Sequence, residues 1–233
     1  SSELVSAYRE DLTTANYVNL GMDYGPVRDL VEMLEGGHIK VGSELVLALG
    51  WGAMYDDMDT NPTYEWHRKW YEPYFYFQRD RLSEFVTDNL KALLGQGEIR
   101  RRIWTGQQKA FYYGNMTQEE LDERREKLHG LYFEGDAGLY ADNLAAMDEA
   151  FAFCEAEGVR VRALWLPENP AVEPEPLDLE LRELCREKCE AAGVEFYDMT
   201  DALGTECFYD TGHLDYDYGA VVFTEVLDKW LLS

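Results

Sequence analysis

Basic residues are scarce in this chain: 21 lysines and arginines stand against 46 aspartates and glutamates, for a formal net charge of -25 at pH 7. That imbalance excludes unaided binding to nucleic acid or to an anionic lipid surface, because both would be repelled. Long hydrophobic runs are also missing. No apolar stretch approaches the ~18–20 residues of a membrane span, and no segment has the layout of a signal peptide. Cysteines number only four, at Cys154, Cys185, Cys189 and Cys207, with no Cys-x-x-Cys spacing. Cys185 and Cys189 sit one helical turn apart without the further thiolates or imidazoles that zinc requires. Buried free thiols are therefore expected, with a disulfide between distant members as the alternative. Glycine-rich phosphate loops and dinucleotide fingerprints are absent too. The stretch 57–61 opens like a calcium loop, but Pro62 stands where the turn glycine belongs and Arg68 where the bidentate glutamate belongs. His38, His67 and His129 are isolated, and His129, before Gly130, reads as a favourable charge at a helix C-terminus. Neither a metal nor an organic cofactor is expected.

What remains is the composition of a globular chain, 46% hydrophobic and 29% charged over 233 residues, long enough for one domain with an insertion. Residues 4–8 carry a short helical pattern, and Tyr17, Val18, Asn19 and Leu20 read as a short buried strand ending at Gly21. Gly25 and Pro26 then open a helix with apolar Val27, Leu30, Val31 and Leu34, stopped by Gly36 and Gly37. The continuous apolar run 45–49 has the length and character of a parallel strand covered on both faces. From Trp51 to about Gly135 the pattern changes to aromatics and helical charge pairs, which reads as a helical insertion, about 55–135. Its aromatic cluster around Trp66 and Trp70 reads first as the insertion's own core, and Arg100, Arg101 and Arg102 as a solvated helix face. Beyond it the α/β rhythm returns: a helix over 139–157, a strand over 159–166, a proline-rich acidic loop, a helix over 179–192, a strand over 194–197, and a closing amphipathic helix. Four strands alternating with helices predict a doubly wound parallel sheet with helices on both faces.

Chemistry concentrates near the C-terminus. Asp210 and His213 lie three residues apart on a loop, a spacing that lets a carboxylate hold one imidazole nitrogen and aim the other at a nucleophile. In a doubly wound sheet, sites form outside the carboxyl ends of the strands. The loop after residue 20, the turn Gly50, Trp51, Gly52 and the 210–213 loop should meet there.

Three blocks carry a resemblance. Ser1, Ser2, Glu3 and Leu4 resemble the end of a nucleophile block. Asn19, Leu20 and Gly21 resemble a second block, and Asp210, Thr211, Gly212 and His213 a terminal Asp-x-x-His block. In this order they are similar to the SGNH/GDSL-type hydrolases, most of all to the DltD-type proteins of teichoic-acid D-alanylation and related acyltransferase partners. The resemblance covers both ends of the chain and leaves the middle weakly matched. It implies an SGNH-like, flavodoxin-like α/β fold and a triad of Ser2 as nucleophile, His213 as general base and Asp210 as its orienting carboxylate. The Ser2 backbone N–H, with Gly21 or Gly25, would supply the oxyanion donors. The third block departs from the family, since Gly50, Trp51, Gly52 and Ala53 hold no asparagine, while Trp51 favours the DltD-type branch.

What the resemblance implies in function is acyl transfer or ester hydrolysis on a cell-envelope polymer, with D-alanyl as the acyl group in the DltD-like case. An acyl donor, a polymer or carbohydrate acceptor and a membrane-bound acyltransferase are the expected partners. An extracytoplasmic location with an anchor upstream of Ser1 is expected, as is a strand preceding Ser1 to deliver the nucleophile. A carbohydrate O-acetyl esterase and a non-catalytic SGNH-like binding or scaffold domain are the alternatives.

Overall fold

The computed structural model describes residues 2–21, 25–57, 86, 89–95 and 111–233, with Ser2 described by its backbone alone. The chain divides into two compact units, Ser1–Asn61 with Phe111–Ser233, and Pro62–Ala110. In the second unit, the described residues Val86 and 89–93 are helical and Gly95 closes a turn at φ +79°. The sequence-expected insertion, about 55–135, is thus partitioned, with 111–135 belonging to the first unit.

The first unit is a mixed α/β domain built on a small parallel sheet. Three strands, β1 (Glu44–Leu49), β2 (Arg160–Trp165) and β3 (Glu195–Asp198), lie in the order β1-β2-β3, all parallel. Register pairs Leu49 with Trp165 and Trp165 with Asp198, so the three carboxyl ends finish side by side. Helices in chain order are α1 (Ser2–Ala7), α2 (Val27–Glu35), α3 (Trp51–Met54), α4 (Gln118–Leu128), α5 (Ala141–Glu157), α6 (Pro176–Ala191) and α7 (Gly219–Leu231). A π-helical turn, His129–Phe133, and a 3-10 turn, Ala137–Tyr140, join α4 to α5.

Alternation along the strands separates two cores. Leu47, Leu49, Ala163 and Trp165 point to one face and pack with Val31 of α2, Met147 of α5 and Leu181 of α6. Leu164, Leu166, Val46 and Ala48 point to the other and pack with Ala7 of α1 and Phe223 and Leu227 of α7. Both faces are therefore covered by helices, which is why strand residues on either side are apolar. Burying a side chain such as Leu164 or Leu49 contributes about 1.5–3 kcal/mol.

Polar tethers fix the helices that carry the site. Arg162 is 1% exposed, yet its guanidinium donates to the carbonyls of Trp230 (2.9 Å) and Leu231 (3.1 Å), pairs with Glu44 at 3.0 Å and lies over the Trp230 ring. A cation at the end of α7 also meets the negative end of the helix dipole. Asp228 accepts from Thr13 Oγ1 (2.5 Å) and Thr14 N (2.7 Å), tying the turn after α1 to α7. Asp56 accepts from the backbone N–H groups of Asp142 and Asn143, both at 2.9 Å, and so satisfies the first turn of α5.

One expected strand is not formed. Residues 17–20 make no ladder among the described residues, and Val18 is 75% exposed. The segment is held instead by Asn19, whose amide donates to Leu4 O at 3.0 Å and whose oxygen accepts from Gly21 N at 2.9 Å. Three described strands, not four, make the sheet. The other boundaries differ little: α6 begins three residues before its expected start, with Pro176 in its first turn, where a missing N–H costs nothing. Gly158 ends α5 in the left-handed conformation, φ +70°. All four cysteines are buried free thiols.

Candidate active site

The loop 207–214 is built so that its backbone closes on itself. Phe208 and Leu214 form an isolated antiparallel bridge, and Tyr209 N donates to His213 O at 2.8 Å. Inside this tight hairpin the Asp210 carboxylate is fully buried. Its Oδ1 accepts from Gly212 N (3.0 Å) and His213 N (2.7 Å), the pattern of an aspartate-stabilised turn. His213 Nδ1 lies 3.1 Å from Oδ1 and 3.0 Å from Oδ2, so the imidazole presents one edge to the carboxylate. This hydrogen bond sets the tautomer, with the proton on Nδ1 and Nε2 as the basic nitrogen.

Neighbouring elements immobilise the pair. Asn169, in the loop after β2, donates to Asp210 O at 2.8 Å. The segment leading into α4 wraps the hairpin: Asn115 donates to Phe208 O (2.7 Å), Met116 N to Tyr209 O (2.8 Å), and the Tyr112 ring stacks 4.4 Å from the His213 ring. A reciprocal capping box between Thr117 and Glu120 then starts α4, from which Arg124 Nη2 reaches Asp210 Oδ2 at 2.9 Å.

Burial alone would push the Asp210 carboxyl up. The hydrogen bond and charge of His213, the Gly212 N–H and the Arg124 guanidinium outweigh it and hold Asp210 below the usual carboxylate range. For His213 burial opposes the charged form, but the hydrogen bond and charge of Asp210, joined by the Glu3 carboxylate, raise its pKa above the ordinary value. Arg124 acts in the opposite sense.

Beside the pair, outside the carboxyl ends of the strands, is a cavity of about 70 Å³. On the scale of a water molecule this admits on the order of five such groups. Trp51, Phe133 and Trp165 supply its aromatic wall, while Glu3, Glu168 and Asp178 supply carboxyls, and Thr211 and Gly212 bring the His213 loop to its edge. Trp165 Nε1 donates to Glu168 at 2.8 Å. Burial and the charges of Glu168 and Glu3 push Asp178 well above the usual carboxylate range. Burial, with Glu3, also raises Glu168. Asp178 Oδ1 meets no hydrogen-bond partner among the described residues.

The sequence-derived site residues distribute as follows. Asp210 and His213 are in contact, and Gly50 and Trp51 line the cavity next to Gly212. Gly50, buried and extended at φ 175°, leaves the Glu3 carboxylate close to its backbone. Gly21 packs against Val5 and Asn19, and neither it nor Gly25 lines the cavity. Ser2 begins α1, next to Glu3; its side chain lies outside the described residues, as do Ser1, His67, Arg68, residues 58–62, the aromatic cluster of 64–77 and Arg100–Arg102. His129 caps α4 and also hydrogen-bonds Glu175 at 2.9 Å. Among the described residues no group of histidine, cysteine and carboxylate side chains is arranged to hold a metal, and no helix is long and apolar enough to cross a membrane.

Four site residues were not singled out from the sequence: Glu3, Arg124, Glu168 and Asp178. Only Glu3 carried a signal, its place beside Ser2. Compared with known proteins, the chain matches no family model, no curated protein and no solved structure.

Proposed function

We propose that the chain is an SGNH-like, DltD-related serine acyltransferase or esterase, acting outside the cytoplasm on a cell-envelope polymer or carbohydrate, with a membrane-bound acyltransferase as partner. The observation that carries the reading is the His213–Asp210 contact at 3.0 Å, with Asp210 fully buried and Glu3, the residue after Ser2, lying against Gly212 of the same loop. Glu3 of α1 and Thr211 and Gly212 of the His213 loop border the same cavity.

In this mechanism Nε2 of His213 takes the Ser2 hydroxyl proton as Oγ bonds to an ester or thioester carbonyl carbon. The developing oxyanion faces the Ser2 backbone N–H, with Gly50 and Trp51, which border the cavity, as the other donors. Collapse expels the alcohol or thiol with the proton from His213, leaving an acyl-serine. A sugar hydroxyl or water then attacks the acyl carbon and gives its proton to His213, which returns it to Ser2 Oγ as the acyl–Oγ bond breaks. An acyl group bearing an ammonium, as D-alanyl does, would meet the carboxyls of Glu3, Glu168 and Asp178. No cofactor enters these steps.

A second reading, a non-catalytic SGNH-like scaffold, is favoured by the lack of asparagine at Gly50, Trp51 and Gly52. A carbohydrate O-acetyl esterase would use the same residues as the transferase. Incubation with p-nitrophenyl acetate followed by intact-mass and peptide mass spectrometry separates enzyme from scaffold. An acetyl group on Ser2, lost in S2A and diminished in H213Q, is the expected result. A wild-type chain that forms no acyl-enzyme, or an S2A variant that releases p-nitrophenol as fast as wild type, defeats the serine mechanism.

A further inference from the structure

The Asp210 carboxylate has enough hydrogen-bond donors without Arg124. Oδ1 takes two backbone N–H groups at 3.0 and 2.7 Å, and Oδ2 takes the imidazole at 3.0 Å. Arg124 nevertheless adds a guanidinium to Oδ2 at 2.9 Å. It does so at a cost. Its Nε is buried with no partner among the described residues, and an unmade buried hydrogen bond costs about 1–3 kcal/mol.

Its use lies in the charges that surround the imidazole. Asp210, on the same loop, and Glu3, from α1, both favour the imidazolium. Arg124, from α4, opposes them, and the Tyr112 ring covers one face. An imidazolium cannot accept the serine proton, so carboxylates that favour the charged form narrow the pH range over which the base works, and a cation beside them widens it. Arg124 is the cation that acts on His213 among the described residues. It is also rigidly placed, because the capping box and the Asn115 and Met116 hydrogen bonds anchor α4 to the hairpin itself.

We propose that Arg124 is a positioning residue for His213: it clamps the second oxygen of Asp210 and offsets part of the charge of the two carboxylates, so that the imidazole is held in register and its neutral form is less disfavoured. Ser2, His213 and Asp210 are then the reacting set, with Arg124 holding Asp210 from behind. The catalytic meaning of that contact rests on the acyl-transfer reading above; its physical content, a guanidinium that governs the state of His213, does not.

The test is an imidazole NMR titration of the full chain, whose four histidines can be assigned one by one with His→Gln variants. In R124Q the His213 midpoint moves to higher pH. The acid limb of p-nitrophenyl acetate hydrolysis moves with it, and kcat/KM at pH 7 falls on the order of 10-fold while the rate at high pH recovers. In R124K, which keeps the positive charge, the midpoint stays near that of wild type and most of the activity returns. An R124Q midpoint that is unchanged or lower overturns the proposal. So does an R124K midpoint displaced upward, a result that remains decisive if R124Q fails to fold. Should the midpoints move as expected while the wild-type chain forms no acyl-enzyme, the enzymatic reading falls and the role of Arg124 toward His213 stands.

Discussion

Gly212 and Glu3 are in such close approach that a β-carbon on Gly212 would collide with Oε1 of the Glu3 carboxylate. The obstacle is the far end of a flexible side chain, so Gly212→Ala displaces Glu3 and leaves the backbone of the loop in place. We expect a stability change within about 0.5–1 kcal/mol, the range of a mild overpacking that a neighbour can relieve. The chemical effect should exceed the structural one. Glu3 raises the pKa of His213, so moving it away lowers the imidazole midpoint and shifts the acid limb of activity to lower pH. NMR titration of His213 in the variant checks this, and an upward shift would contradict the assigned role of Glu3.

Asp178 makes a prediction of opposite character, a substitution that stabilises. The groups acting on its carboxyl are Glu168, Glu3 and Arg182, and burial dominates, so the fold favours the protonated acid. The unfolded chain releases this proton near the ordinary value of 3.8, whereas the folded chain holds it to higher pH. Between those two points the folded state binds more protons, and stability therefore falls as pH rises. An asparagine side chain in its place has no proton to lose. Asp178→Asn should match wild type near pH 4 and exceed it by about 1–2 kcal/mol at pH 8, a gain in Tm of roughly 2–8 °C. Thermal unfolding at the two pH values is the measurement. An advantage equal at both would mean that ionisation of Asp178 is not the cause.

Much of this architecture is legible in the sequence, and the exceptions have physical reasons. The run 45–49 reads as a parallel strand because both of its faces are covered, and Gly158 marks the end of α5 because it adopts a left-handed conformation there. Tyr17 to Leu20 have strand-like residues too, but strand formation is decided by the availability of a partner edge. Here the Asn19 side chain satisfies backbone groups of α1 and Gly21 in place of a ladder.

The Asp210–His213 contact is legible because a three-residue spacing confines both side chains to one tight loop. Arg124 is not. It sits on a highly charged helix in which a single arginine resembles any solvated residue, and only the chain path places that helix against the hairpin. Glu168 and Asp178 escape notice for a related reason. Each is an ordinary acid near a loop or in a first helical turn until folding brings them together under Trp165.

Gly219 gives the sharpest structural test of how the hairpin is held. It is the first residue of α7, and a β-carbon there would strike the carbonyl oxygen of Cys207, which begins the loop bearing Asp210 and His213. That carbonyl also accepts from Asp215 N at 2.9 Å, so it has no freedom to retreat. Unlike the Glu3 carboxylate opposite Gly212, this obstacle is backbone, and relief requires α7 and the hairpin to separate. Gly219→Ala should therefore destabilise by about 2–3 kcal/mol, lowering Tm by roughly 4–12 °C. It should also loosen the His213 loop in the protein that remains folded, seen as faster amide exchange at Tyr209 and His213. Thermal unfolding and hydrogen exchange on G219A and G212A together decide the matter: equal stability losses in the two variants would show that the backbone contact at Cys207 is not what anchors the loop.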